Sequence, residues 1–316
     1  MNTADPVFIL APPCTFSWIV CAMLGQHPEM YALPELHLFS VETMADWWEL
    51  CTRESFDMDH GLVRAVAELY FGGQTDRTAS RARGWLRRRA HYTTGLMLEA
   101  IADRLRPLTP VEKSPSIVYS PDSLRRAFAM FPTARFLHLV SHPRLYCQSV
   151  MQALREVASD QPLPASHWLV QLTSYPQPGA KPTDIGGVLD PQGAWYSLNM
   201  TITRFLSSIP EQQHRTVKGE DLVANGDEGL RSVAAWLGVR TDAEAVERMK
   251  HPELSAYAGL GPSSASFGSD IFLCKAPLVH PDWVRSRSLE GPLSWRADVG
   301  GFSPEVKRFA QGFGYS

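Results

Sequence analysis

Apolar residues fall into two rhythms along the chain. Val7 to Leu10 is a short continuous apolar run, followed by Ala11, Pro12, Pro13, Cys14 and Thr15 and then by a periodic segment from about Ser17 to Leu24. This order predicts strand, turn, helix. His27-Pro28 ends the helix, and Met30 to Leu33 predicts a second short strand leading into Pro34, Glu35, Leu36 and His37. From about 40 to 105 the pattern is helical with little strand signal, as expected of an inserted cap. Strand signals return at Ser116 to Tyr119 and at Arg135 to Val140, with a helix starting near Ser120-Pro121-Asp122 between them and another from Pro143 to about Val157. The alternation recurs at Arg215 to Lys218 and Glu228 to Leu237. Short apolar strands alternating with helices predict an α/β chain whose central parallel sheet is flanked by helices. We read residues 1–316 as one domain without internal repeats. The Pro- and Gly-rich stretch 161–193 and the Ser/Gly-rich stretch 259–270 are expected to be long loops, either lids or disordered segments.

Composition narrows the function classes. A formal charge of −3 gives the molecule no overall field to gather nucleic acid or an anionic membrane, so any anion site must be local. The N-terminus has no basic leader, and no run of eighteen apolar residues follows, so we expect a cytoplasmic protein off the membrane. The five cysteines, Cys14, Cys21, Cys51, Cys147 and Cys274, are odd in number and lack metal-ligand spacing, from which we expect no disulfide framework and no metal.

The first strand-to-helix turn is the natural place for an anion, because unpaired N–H groups and the positive end of the helix dipole meet there. Thr15 and Ser17 could add hydroxyl donors, and Ser17 is placed to cap the helix. Against this, the turn has no glycine, Lys or Arg, carries two prolines, and places bulky Phe16 and Trp18 where a phosphate would approach.

FILAPPCTFSWIVCAMLGQHPEMYALPELHLF resembles the opening strand, phosphosulfate loop, helix and PELHL segment of the sulfotransferase family, a relative of nucleotide-binding P-loop folds. The similarity is greatest to bacterial and cyanobacterial members that act on carrier-bound β-hydroxyacyl chains in polyketide and olefin biosynthesis. EKSPS at Glu112 to Ser116 resembles the family's EKTPS, and FPTARFLHLVSHPRLYCQSV resembles its 3′-phosphate segment. TVKGEDLVANGDEGLRSVAAWLGV and HPELSAYAGLGP continue the same order. The resemblance implies sulfonation of a substrate hydroxyl, with 3′-phosphoadenosine 5′-phosphosulfate (PAPS) as donor and adenosine 3′,5′-bisphosphate (PAP) as product. It implies His37 as base, Glu35 to orient it, and Lys113 as the stabilising cation. Thr15, Phe16, Ser17, Trp18, Ser141 and Ser149 occupy the nucleotide-contact positions.

Departures from the family pattern bear on the donor. The family's Arg, Gly and Thr of the first loop correspond here to Cys14, Phe16 and Trp18, and the Arg of the 3′-phosphate segment to Ser141. A charge-assisted hydrogen bond contributes about 1.5 to 3 kcal/mol, so two lost arginines weaken the nucleotide by roughly two to four powers of ten unless Lys113, Arg144 or Lys275 supplies the charge. Cys14, a thiol at a helix N-terminus, could instead carry an acyl group with His37 as base, which opens acyl transfer, dehydration or cyclisation without the sulfonate donor. Cys14 and Cys147 also read simply as small buried residues. The run RTASRARGWLRRRAHY, with Arg77, Arg81, Arg83, Arg87, Arg88 and Arg89, gives a basic helical face suited to an acidic acyl carrier protein or polyketide synthase partner, or to solvent. A catalytically dead carrier-binding module is the third reading.

Overall fold

In the computed structural model, which describes residues 5–54, 57–158, 167–176, 189–224, 226–268 and 287–316, the short apolar runs form one five-stranded parallel sheet. Its strands are β1 (Val7–Leu10), β2 (Met30–Ala32), β3 (Thr109–Glu112), β4 (Arg135–Val140) and β5 (His214–Lys218), in spatial order β2-β3-β1-β4-β5. Its helices in chain order are α1 (Ser17–Gly25), α2 (Met44–Glu54), α3 (Asp59–Phe71), α4 (Asp76–Arg87), α5 (Thr94–Leu105), α6 (Pro121–Met130), α7 (Pro143–Val157), α8 (Trp168–Thr173), α9 (Gln192–Leu206), α10 (Gly219–Ala224), α11 (Gly226–Leu237), α12 (Ala243–Met249) and α13 (Pro304–Gly312).

Side chains alternate across a strand, and here both faces are covered, which is why β1 reads as unbroken apolar sequence. Phe8 and Leu10 enter one core with α3, α5, α6 and α9, while Val7 and Ile9 enter the other with α1, α11 and α12. The β1–β4 pairing sets Phe8 beside Phe136, their rings stacked with centroids 5.3 Å apart, and Phe205 of α9 packs edge-on to Phe136 at 5.1 Å. The residues expected to form a cap hold α2 to α5, whose apolar stripes join the Phe8 core.

The strand expected at Ser116 to Tyr119 is instead a 3-10 turn over Pro115–Val118, and the strand is Thr109–Glu112. Ile117 and Val118 are buried in the core, which accounts for their apolar signal. The signal of β3 is masked by Pro110, which lacks an N–H yet pairs in register with Tyr31 of β2. Most of the stretch 161–193 lies outside the described residues. The described parts include α8 and the start of α9, helical where loop is expected. Residues 259–268 are held by the buried Arg64, which donates to Gly259 O at 2.8 Å and Phe267 O at 3.1 Å. Among the described residues no helix is long and apolar enough to cross a membrane.

Because Phe136 packs against both Phe8 and Phe205, Phe136→Ala is expected to cost about 3–5 kcal/mol of stability, read as a lowered urea midpoint with an unchanged slope.

Candidate functional site

In an open parallel sheet the loops at the carboxyl ends of the strands meet on one edge, and the connections leaving β1 and β4 run to opposite sides, which opens a crevice between them. The β1–α1 turn forms one wall. Cys14 takes the left-handed conformation, φ 60°, and is half-buried. The Thr15 hydroxyl donates to Pro12 O at 2.9 Å and lies 3.2 Å from the Ser17 hydroxyl. Ser17 does not cap α1: it is the first helical residue, and Phe16 holds the cap position without a side-chain bond. Phe16 does not project into the turn either. Its ring is buried against Gly219, where a Cβ would come within 2.6 Å of it. Gly219, having no side chain, leaves the room that the Phe16 ring occupies.

Glu35, His37 and Lys113 converge from the ends of β2 and β3. Lys113 Nζ lies 2.6 Å from Glu35 Oε1, with the ammonium 5.1 Å from the Trp18 ring centre. Trp18 Nε1 donates to the same Glu35 oxygen at 3.2 Å. Glu35 Oε2 faces His37 Nε2 at 3.4 Å, and His37 Nδ1 lies 3.0 Å from Ser116 Oγ. Burial alone would push the Glu35 carboxyl up, but Lys113 and His37 together hold it down at about 2, so it stays ionised. The backbone here is strained: His37 sits at φ 52°, a rare conformation for a side chain of its size. The Ser114 hydroxyl holds it there, accepting from Leu36 N and His37 N, each at 2.9 Å, while donating to Glu112 Oε1. Glu112 is 2% exposed, and burial pushes its carboxyl up to about 7 against the opposing bond from Ser114.

The opposite wall is the turn from β4 into α7. Ser141 and His142 are buried, and neither the Ser141 hydroxyl nor His142 Nε2 has a hydrogen-bond partner among the described residues. Burial first, then Arg287, Arg144 and Lys218, push the His142 ring down to about 4, so it is neutral at physiological pH. Its Nδ1 accepts from Arg144 N at 3.1 Å, which leaves the ring proton on Nε2. Two orphaned buried donors therefore stand at the N-terminus of a fifteen-residue helix, with three cations nearby. Two donors at a helix N-terminus form a place where an acceptor, an anion among them, can be held. The turn is braced by Trp195 Nε1, which donates to Ser141 O at 2.9 Å, and by Glu220, whose Oε1 accepts from His142 N at 2.6 Å.

The structure thus brings Glu35, His37, Lys113 and Trp18 into direct contact, and sets Ser141 on the other side of the crevice. Ser149 lies half-buried further along α7 and makes no hydrogen bond among the described residues. Cys147 is buried and its thiol is pushed well up, as expected of a core residue. Arg144 does not replace a missing phosphate contact. Its guanidinium donates to the carbonyls of Ser288, Pro292 and Glu290 at 3.0, 2.7 and 2.8 Å, because the chain returns over α7 there. Lys113 is committed to Glu35, and Lys275 lies outside the described residues. Sequence reading missed His142, Lys218 and Arg287. The His-Pro pair opening a helix was the available signal for His142; the two cations reach the turn only through the fold.

The sulfotransferase family profile matches residues 6–243, most of the chain and all five strands. The chain belongs to the sulfotransferase family. Among solved structures it is similar to the sulfotransferase domain from the curacin biosynthetic pathway, at 19% identity and TM-score 0.70, covering 100% of this chain and 99% of that one. It is likewise similar to the sulfotransferase domain from the Synechococcus PCC 7002 olefin synthase, at 21% identity and TM-score 0.69, covering 100% and 97%. At these identities the likeness is one of fold. Comparison with curated sequences finds no match. Within the family fold, among the described residues, no group of three or more His, Cys, Asp or Glu side chains is gathered to hold a metal.

The two carboxyls of this sulfotransferase fold titrate on opposite sides of their ordinary value of 4.5. Glu112 holds its proton in the native state to about pH 7 but loses it near 4.5 on unfolding, so it makes stability fall as pH rises through that window. Glu35 acts in the other direction, its stabilisation being lost as pH falls from 4.5 through about 2. Glu112→Gln keeps an acceptor for Ser114 and cannot ionise. Urea titrations are expected to show the variant gaining on wild type steadily between about pH 5 and 7; parallel pH profiles would show that Glu112 titrates normally.

Proposed function

We propose that the protein transfers a sulfuryl group from PAPS to a hydroxyl of an acyl substrate carried on an acyl carrier protein. The observation that carries this reading is the pair of orphaned donors, Ser141 Oγ and His142 Nε2, buried at the N-terminus of α7 beside Arg287 and Lys218. That neutral donor pair fits phosphate oxygens such as those of the 3′-phosphate of PAPS, and the positive potential there comes from Arg287, Arg144 and Lys218 where the family's arginine is Ser141. PAPS, when bound, supplies the sulfuryl group. With Phe16 turned into the core, the β1–α1 turn is left lined by the backbone and by the Thr15 and Ser17 hydroxyls for the donor's other end. The names of the two similar structures, a curacin pathway domain and an olefin synthase domain, support an acyl substrate.

The protein's own groups divide the work. His37 Nε2 receives the proton of the acceptor hydroxyl: its contact with Glu35, 3.4 Å, is long enough for a hydroxyl to compete, and Ser116 fixes the ring through Nδ1. The ionised Glu35 then stabilises the imidazolium. Lys113, its ammonium set between Glu35 and the Trp18 ring, is the cation nearest the base and offsets negative charge as it develops. Overall the acceptor O–H bond breaks and an O–S bond forms, and the departing phosphate oxygen keeps the electron pair of the S–O bond it loses.

Calorimetric titration with PAP at low salt tests the donor reading. We expect a Kd of about micromolar order, weakened about tenfold in His142→Ala and in Arg287→Ala; no heat up to about millimolar PAP would exclude PAPS as donor and turn attention to sulfonate-free chemistry at Cys14. His37→Ala is expected to lower sulfonation of a carrier-bound β-hydroxyacyl chain by about 10²–10⁴-fold with PAP affinity unchanged. Activity equal to wild type would remove His37 as the base.

A further inference from the structure

The six arginines between 77 and 89 do two different things. Arg83 turns inward, its Nε 2.8 Å from Asp59 Oδ2 and its Nη2 donating to Ser264 O at 2.7 Å. Arg77, Arg81, Arg87 and Arg88 are exposed, and among the described residues none of their side chains makes a hydrogen bond or ion pair. Several other surface cations are matched with carboxylates, as in Arg106–Asp103, Arg125–Asp122, Arg240–Asp242 and Lys307–Glu290, and exposed arginines that are not, such as Arg155, Arg204, Arg248 and Arg308, stand on four different helices. The α4 face is left uncompensated in a chain that is net negative.

These side chains are nevertheless held in place. The guanidinium of Arg81 lies over the Phe71 ring at 4.3 Å and that of Arg87 over Trp48 at 5.4 Å. Arg88 folds back over Gly84, where a Cβ would meet its Nη1 at 3.6 Å. Arg77, Arg81 and Arg88 fall on one helical stripe about 16 Å long, with Arg87 on its flank. A ring under a guanidinium fixes its plane and leaves the N–H edges free, so the ordering cost of binding a carboxylate is largely met in advance.

The position of the stripe follows from Arg83. Its bond to Asp59 fastens the C-terminal half of α4 to the start of α3, where Gly61 lies so close to the Glu35 carbonyl that a Cβ would come within 1.9 Å of it. Arg83 and the buried Ala79, Ala82 and Leu86 mark the packed side of α4, so the stripe of Arg77, Arg81 and Arg88 faces outward on the opposite side.

The chemistry selects among anionic partners. The rings lie beneath the guanidinium groups, so they offer no face for stacking bases, and the net negative molecule adds no wider field for a polyphosphate chain. The exposed positions of α4 include no apolar anchor for a lipid surface. Separate carboxylates on a folded protein match separate forked donors. We propose that the arginine face of α4 is a docking surface for an acidic protein. Delivery of a tethered acyl group to the His37 centre rests on the sulfonation reading; the docking itself does not.

The test is binding of the full chain to a holo acyl carrier protein, used as the acidic probe, at about 25 mM and about 300 mM salt. We expect measurable affinity that falls at the higher salt and falls about tenfold or more in Arg81→Gln/Arg87→Gln/Arg88→Gln, with PAP affinity and the melting midpoint unchanged. Arg77→Gln/Arg88→Gln, which removes no ring contact, serves should the triple variant unfold, and a smaller loss in the same direction is expected. Absence of wild-type binding, equal binding by the folded variants, or tighter binding to duplex DNA or to phosphatidylglycerol vesicles would overturn the proposal. Carrier-protein docking that is lost in the variants, in a protein that fails to bind PAP, would support this surface while excluding the sulfonation reading.

Discussion

The site depends on the ion pair between Lys113 and Glu35. Lys113 is almost wholly buried at the end of β3, and a buried ammonium is tolerated only with a partner. Glu35 must therefore remain ionised and in place, and its other oxygen is then committed to the side of His37. Each further contact serves to keep that arrangement: Trp18 donates to the same carboxylate, and Gly268 O accepts from Glu35 N at 2.9 Å, which ties the 259–268 segment to the centre. The unusual backbone of His37 is affordable because Ser114 takes up two N–H groups that the turn would otherwise strand.

A second constraint operates across the crevice. Replacing arginine with Ser141 removes a fixed cation, yet the fold leaves two buried donors there and keeps Arg287, Arg144 and Lys218 close enough for their charge to act on His142. Phe16 is accommodated across a similar distance in sequence, its ring lying where a side chain at Gly219 would stand. Both arrangements join positions far apart in the chain, so reading the loop residue by residue misses them.

The sequence carried much of the fold. β1, β4 and α7 were legible because their signals are local: a continuous apolar run for strands buried on both faces, and proline at the first turn of a helix. β3 was not, since Pro110 argued against a strand whose sheet position compensates for its missing N–H, and the buried 3-10 turn beside it imitated one. The capping of α1 was misread for a similar reason. Ser17 has the right chemistry, but Thr15 and the Cys14 conformation move the helix start one residue earlier.

What the sequence determined by itself was the alternation of strand and helix, the sulfotransferase family pattern, Glu35 and His37 after the second strand, and Lys113 within its short motif. These follow from periodicity and short motifs, which depend only on near neighbours in the chain. Tertiary structure alone decided where each cation is used. Arg144 is spent on three carbonyls of a returning segment, Arg83 on Asp59, Lys113 on Glu35 and Lys218 on Gly314 O, while Lys218 and Arg287 also act on the His142 ring through space. Charge acts through space over several ångströms, and only the folded chain sets those distances.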